Sequence, residues 1–345
     1  MSPSTPSRPG NDLSAVLAGM GFRTVDPEPR MEENVRVRRG LRRATWSAPS
    51  MRTRVSVTLV HPSRDLADAA VGDAFTELDR VVSLLNRHDG TSAVSILNQR
   101  GGLDDPPPEL SGVVRGAVEM HRLSHGAFDA TVKPVVDLLR GWKLRGPVPE
   151  ADLREARALV GMSALKVKER SIRFEKGGMG LTLDGIAKGH VVDRMADVLL
   201  RRGLDRWLID AGGDIRASGT NAEGRPWRIG VQDPLKRDGF PAVTELRDGA
   251  IATSGGYENF FTEDRSVHHV VDTATGQSPL HTLSASVAAP TAMMADALAT
   301  TALVLDPARA VALIETLPGC ACLLLGADGR RRRSKRWRSV SESHL

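Results

Sequence analysis

The chain has 345 residues, of which 41 % are hydrophobic, 26 % charged and 4 % aromatic. That composition excludes collagen-like, coiled-coil and wholly disordered chains, is large enough for one big domain or two ordinary ones, and argues against an aromatic platform for single-stranded nucleic acid. The net charge of +5 describes the end of the chain more than its body: Arg330, Arg331, Arg332, Arg333, Lys335, Arg336 and Arg338 outweigh the whole surplus, so the remainder is slightly acidic.

Residues 1–50 combine Ser, Pro, Arg and Glu with little periodicity and are expected to form a flexible N-terminal arm. The apolar run there is too short for a secretory signal, and no segment approaches the roughly 20 apolar residues that span a bilayer, so a cytoplasmic protein without a membrane span is expected. Order should begin near Met51, where Val55, Val57 and Leu59 alternate as a strand. Val71, Phe75, Leu78, Val82 and Leu85 recur at steps of three and four and predict an amphipathic helix. Leu110, Val113, Val114, Ala117, Met120 and Leu123 predict a second over 110–124. Ile172 and Phe174 suggest a strand, and LTLDG then turns into a helix from about residue 187 to 202, ended by Gly203. Further strands are predicted at WLID, WRIGV, AIATS, HHVVD and SASVAA, and helices around 292–305 and 307–316. Cys320 and Cys322 are spaced to share one face of a closing strand. With no second pair of soft ligands beside them, they read as buried structural thiols suited to a reducing compartment. There is no internal repeat, and strands alternating with helices favour one α/β or α+β body with a mixed or antiparallel sheet and flanking helices.

Five segments could carry chemistry. In LTLDGIAKGHVVD (181–193), Gly185 and Gly189 allow close backbone approach at a helix N-terminus, and Lys188 adds a point charge suited to phosphate. The spacing is neither a Walker loop nor G-x-G-x-x-G, and alone it equally describes a strand–turn–helix joint with a solvated lysine. In MADALATTALVL (294–305), Asp296 and Thr300 share one helix face about 6 Å apart along the axis. A carboxylate and a hydroxyl so placed suit Mg²⁺, or else a dipole-stabilised Asp and a Thr bonded back to a carbonyl. In SVHHVVDTATG (266–276), a strand would send His268 and His269 to opposite faces, so at most one serves a given site. A neutral imidazole there could take a proton from a hydroxyl, or be structural, while Asp272 shapes a turn. HGAFDATVKP (125–134) places Asp129 and Thr131 beside Phe128 and alone reads as a turn. RRRRSKRW is either a solvated run or a contact for nucleic acid or an acidic surface.

Taken in order, these segments resemble the ApbE family, the FAD:protein FMN transferases, over roughly residues 51–325. MRTRVSVTL resembles the family's opening strand, with Met51 at its start, and RHDGTSAVSILN its S-x-x-S-x-x-N segment. GAFDATVKP matches the G-x-F-D-x-T-V-x-P signature and LDGIAKGHVVD the G-x-x-K-G-x-x-x-D signature. LIDAGGDIRASG, PWRIGVQDP, IATSGGYENFF, HHVVDTATG and ADALATTALVL follow in family order. The departures are His88 in place of Tyr or Phe, Ala93 in place of Glu, Arg52 in place of Gly, Thr273 and Ala274 in place of Pro and Arg, and the absence of the export or lipoprotein signal that many members carry. The resemblance implies an ApbE-like, T-fold-like two-lobed body over 51–326 with an FAD cleft, followed by a basic tail over 327–345. It also implies Mg²⁺-dependent transfer of FMN from FAD to a Ser or Thr hydroxyl of an acceptor protein, with release of AMP. Asp296 and Thr300 would ligate the metal through side chains and Gly185 through its carbonyl, while Lys188 would face the phosphates or ribose. Met51, His88, Ala127, Phe128, Asp129, Asp184 and Val270 would line the flavin and adenosine sites, and His269 would be the base. The partners are then FAD and the acceptor, with nucleic acid not expected. Two other readings are an Mg²⁺-dependent FAD pyrophosphatase and a non-enzymatic flavin-binding or nucleic-acid-associated protein that uses the tail.

Overall fold

The computed structural model describes residues 29–37, 40–142, 148–257 and 259–340. Three consecutive strands open it, β1 (Arg30–Arg36), β2 (Arg42–Ser50) and β3 (Thr53–His61), paired as an antiparallel meander. The β2–β3 connection is only Met51 (φ 49°) and Arg52 (φ 63°), both left-handed, as a two-residue hairpin turn on right-twisted strands requires. Two expectations are corrected here. Residues 30–36 and 42–50 do not belong to a flexible arm: they form β1 and β2, and Ala44, Trp46 and Ala48 alternate into the core, with Trp46 only 4 % exposed. Thr45 and Ser47 between them, and the Arg pair before them, mask that period-two pattern. Met51 is the tip of a hairpin and not the start of an opening strand. Residues 1–28 of the expected arm, and the last five of the expected tail, lie outside the described residues.

Helices α1 (Arg64–Leu85), α2 (Ala93–Arg100), α3 (Pro108–Leu123), α4 (Lys133–Gly141) and α5 (Glu150–Ala158) follow, with β4 (Gly102–Asp104), β5 (Leu165–Lys168) and β6 (Ser171–Phe174) as a small separate sheet. After α6 (Ala187–Arg201), β7 (Trp207–Ala211) returns to pair with β3, Val55 opposite Ala211. Then come β8 (Ile215–Ser218), the hairpin β9 (Trp227–Val231) and β10 (Ala242–Leu246), β11 (Gly249–Gly255), β12 (Thr282–Ala289), α7 (Ala292–Val304), α8 (Pro307–Thr316), β13 (Ala321–Gly326) and β14 (Arg331–Arg333). The main sheet runs β1-β2-β3-β7-β8-β11-β12-β13-β14, and each of its pairs is antiparallel.

Alternation sorts the two faces of that sheet. Val55, Val57, Ile209, Ala252, Val287, Cys322 and Leu324 join the core under the helices. Ile215, Ala217, Ile251, Leu323 and Leu325 face the other way, against Trp227 and Ile229 of the β9–β10 hairpin and against Trp337. Both cysteines are free and lie on the helical face, as their spacing predicts. Helix α7 is apolar nearly all round and built of small residues, which lets it lie buried among α6, β11 and β12.

Two further expectations change. HHVVD is not a strand: only the single bridges Phe260–His268 and Asp272–Gln277 form, because side chains take the backbone groups a ladder would use. Ser278 Oγ accepts the His268 N–H and His268 Nδ1 that of Val270. The basic tail keeps most of its charged side chains exposed, as a solvated run would, but its backbone is ordered over 327–340. Its strand β14 closes the sheet edge, Trp337 is buried, and the Arg336 guanidinium donates to the carbonyls of Ile314, Glu315, Leu317 and Cys320, capping the end of α8.

Candidate functional site

The site is organised where α6 crosses α7. A Cβ on Gly189 would run into the Ala292 carbonyl, so only glycine permits the crossing. There Asp296 Oδ2 accepts the Gly189 N–H at 3.0 Å. One turn on, Thr300 lies against Gly185, where a Cβ would come within 2.8 Å of Thr300 Oγ1, and that hydroxyl is 3.3 Å from Ser254 Oγ. The structure thus brings Gly185, Asp296 and Thr300 together. Lys188 joins them through Asp214, with Nζ 3.4 Å from Asp214 Oδ2 and 3.5 Å from the Gly212 carbonyl. Asp214 is 1 % exposed, and no well-directed hydrogen bond reaches its Oδ2.

Burial pushes the Asp296 carboxyl well above the ordinary carboxylate range, and the nearby Asp214 charge pushes the same way, against Lys188 and the Gly189 N–H. Burial raises Asp214 too, opposed by Lys188. For Lys188, burial works against the charge, but Asp214 and Asp296 outweigh it and hold the ammonium protonated. With both carboxylates ionised, one lysine would leave negative charge uncompensated, and Asp214 Oδ2 lacks a partner; a cation would relieve both. The described residues hold no cluster of three or more His, Cys, Asp or Glu. The donors are instead two carboxylates, two hydroxyls and backbone oxygen, a hard-oxygen set that fits Mg²⁺ and not zinc.

A second group adjoins the first. Arg87, 5 % exposed at its side chain, donates Nε to both oxygens of Asp184 at 3.0 Å and also reaches Asp137. Burial disfavours the Asp184 charge, yet Arg87 outweighs it and keeps the carboxylate ionised. His269 Nδ1 lies 3.1 Å from the Asn259 carbonyl, which can only accept. Nδ1 therefore carries the proton and Nε2 an open lone pair. Burial depresses His269 below its usual 6.5, with Asp184 pulling partly back and Lys188 and Arg140 pushing further down. His268 is different: its ring packs on Gly256, Nε2 donates to the Pro279 carbonyl and Nδ1 accepts the Val270 N–H. Both its nitrogens are occupied, and it is structural.

Of the other expected residues, Val270 is buried, and Phe128 is buried with its amide donating to Ser124 Oγ. Asp129 turns its carboxylate on Thr131, accepting both the N–H and the hydroxyl. That loop, which includes Ala127, meets the 181–184 loop through Thr182 N–H and the Ala130 carbonyl. His88 lies beside Arg87, and burial and that charge lower its pKa, with Arg140 and Arg52 adding to the effect. Met51 is partly buried against the core at the hairpin tip. Sequence reasoning passed over Asp214, Ser254, Arg87 and Asn98, whose side chain holds Leu181 by both its N–H and its carbonyl. Only Asn98 and Asp214 had a local signal, the first as the end of S-x-x-S-x-x-N, the second as an acid directly after a Gly-Gly break in an apolar strand.

The sequence profile of the ApbE family matches residues 51–324. The FAD:protein FMN transferase of Vibrio cholerae is 32 % identical over 78 % of this chain and 83 % of its own length. The protein of that name in Treponema pallidum is 32 % identical over 81 % and 83 % respectively. Among solved structures, the flavin transferase ApbE from Vibrio cholerae matches with a TM-score of 0.75 at 26 % identity, covering 86 % of this chain and 98 % of the other.

Proposed function

The chain belongs to the ApbE family, and from that premise we infer that it is an FAD:protein FMN transferase, moving FMN from FAD to a Ser or Thr hydroxyl of an acceptor protein in an Mg²⁺-dependent reaction that releases AMP. The observation that carries this reading is the open Nε2 of His269 standing in the same electrostatic neighbourhood as Lys188, whose other neighbours are Asp214 and Asp296.

Asp296 and Thr300 side chains and the Gly185 carbonyl would hold the Mg²⁺, with Asp214 beside them. When bound, the ion supplies charge neutralisation at a pyrophosphate. Lys188 adds a fixed positive charge to the same phosphates. The acceptor hydroxyl oxygen attacks the FMN-side phosphorus, its proton passes to His269 Nε2, and the bond to the AMP phosphate breaks as AMP leaves. The Nδ1–H bond to Asn259 holds the imidazole in the tautomer this requires, and burial keeps it neutral at physiological pH. Met51, His88, Ala127, Phe128 and Val270 would line the flavin and adenosine sites. Asp129 and Asp184 have their carboxylates engaged by Thr131 and Arg87, so they would shape those sites and not transfer protons. The catalytic body would be 51–326, with the flanking strands closing its sheet. Two free buried thiols suit a reducing compartment, and we place the protein in the cytoplasm. Among the described residues no helix is long and apolar enough to cross a membrane.

Intact-mass analysis after incubation with FAD, Mg²⁺ and a Ser/Thr-bearing acceptor tests the reading. An FMN-sized adduct on the acceptor with AMP in solution is expected. AMP and free FMN with no adduct would mean a pyrophosphatase, and uncleaved FAD with several acceptors would defeat the enzyme reading.

A further inference from the structure

Helices α6 and α7 cap each other. Gly189 is the third residue of α6, so its N–H has no intrahelical partner, and Asp296 of α7 accepts it. In return Asp193 of α6 accepts the first two amides of α7, Ala292 on Oδ1 at 2.8 Å and Met293 on Oδ2 at 2.9 Å. The third, Met294, goes to Thr291 Oγ1 at 3.2 Å, so the first turn of α7 is fully held. Asp193 Oδ1 also accepts Arg216 at 2.5 Å, and Arg216 lies in β8, two residues beyond Asp214. One buried carboxylate therefore ties together the elements that carry Lys188, Asp214, and Asp296 with Thr300.

We infer that Asp193, held by Arg216, is the positioning residue that fixes the Asp296–Thr300 edge of α7, and so sets the affinity of the cation site without touching the cation. The inference rests on the assignment of Asp296 and Thr300 as cation ligands. Its physical ground is that Asp193 holds the two leading amides of α7, one turn before Asp296. The large buried side chains, Leu298 and Leu303, lie in its later turns; before them the buried residues are Ala292, Ala295 and Ala297 beside Asp296, with Met293 and Met294 only partly buried, so the leading end has little side-chain packing to fix its register. Asp296 lies about 6 Å along the axis from the pinned end, so any slip of that end is passed on to it. Clearance at Thr300 is nil, because Gly185 has no room even for a methyl group.

The test is Mn²⁺ binding to the flavin-free, metal-free protein, read from the electron spin resonance of free Mn²⁺, with thermal melts in parallel. Asp193→Asn is expected to weaken Mn²⁺ binding about 10- to 100-fold, the usual effect of losing a partner behind a metal ligand. Arg216→Met is expected to weaken it less, and Arg216→Lys, which keeps a cation beside Asp193, to restore most of the parent affinity. A purely structural role would lower the melting temperature and leave the Mn²⁺ affinity of the folded protein unchanged. A folded Asp193→Asn with parental affinity overturns the proposal. If that variant does not fold, Arg216→Met decides, since it leaves both amide bonds in place, and parental affinity there overturns the proposal as well. A parent protein that binds no Mn²⁺ defeats the cation reading and this proposal together, whereas a parent that binds with an indifferent Asp193→Asn defeats this proposal alone.

Discussion

At His269 the tautomer is set by a single backbone oxygen, and the charge by burial. A histidine whose pKa is depressed in the folded state is a base above that pKa and is lost as one when pH falls through it. The acid limb of the transfer rate is therefore expected below pH 6.5, and any stability His269 contributes is complete above 6.5 and declines below it. His269→Gln should lower transfer by about 10²- to 10⁴-fold while flavin titration shows unchanged FAD affinity. Equal transfer by this variant would exclude His269 as the base. Asp296 gives the opposite pairing of stability and function. Its buried carboxyl is crowded by Asp214, and an amide would keep an acceptor for Gly189. Metal-free Asp296→Asn is thus expected to melt above the parent, yet to gain nothing from Mg²⁺ and to lose transfer. Thermal melts with and without Mg²⁺ check both halves. The Gly185–Lys188 and Asp296–Thr300 spacings were visible in the sequence because they are local, but each was ambiguous alone, and only the family resemblance implied that the two would meet. Arg87 gave no such signal, since its partner Asp184 lies 97 residues away. Asp214 depends in the same way on pairing that only the fold creates.

Between elements, the closest constraint is the α6–α7 crossing. Gly189→Ala puts a methyl group against backbone that cannot step aside, and should destabilise the protein by about 1–3 kcal/mol in urea denaturation. A stability within error of the parent would show that the helices have slack. The β2–β3 turn predicts a gain in the same assay. Arg52 holds φ 63°, where a side chain is strained, so Arg52→Gly is expected to stabilise by about 1 kcal/mol. Helix periodicity was the most readable feature: 292–305 and 307–316 were expected, and Ala292–Val304 and Pro307–Thr316 are found. Strands fared worse in both directions. In β2 the apolar residues are Ala and Trp between polar neighbours, too faint a pattern to stand out. In HHVVD an apolar run was present, but the Ser278 and His268 side chains had already claimed backbone amides.

Over the whole molecule, the helix-and-sheet class followed from the alternation of patterns, but not the strand order, because β3 and β7 are neighbours only in space. The first and last described strands close that sheet, β1 at one edge and β14 at the other, both carrying the charged residues that exposed edges favour. Removing residues 327–345 would uncover the apolar strand β13 and the carbonyls that Arg336 caps. That truncated chain is expected to melt lower and to aggregate, and an unaltered melting curve would return the tail to the status of an accessory. The pairing of β3 with β7 also has a consequence in time. A ribosome adding about 5–20 residues per second needs roughly 7–30 s to travel from His61 to Trp207. Through that interval the β2–β3 hairpin is already made, with one flank bare. A holdase that covers nascent hairpins should raise the soluble yield of the full chain while leaving its melting temperature untouched. The harvest of folded protein is then governed by what shelters its first half while the second is still being translated.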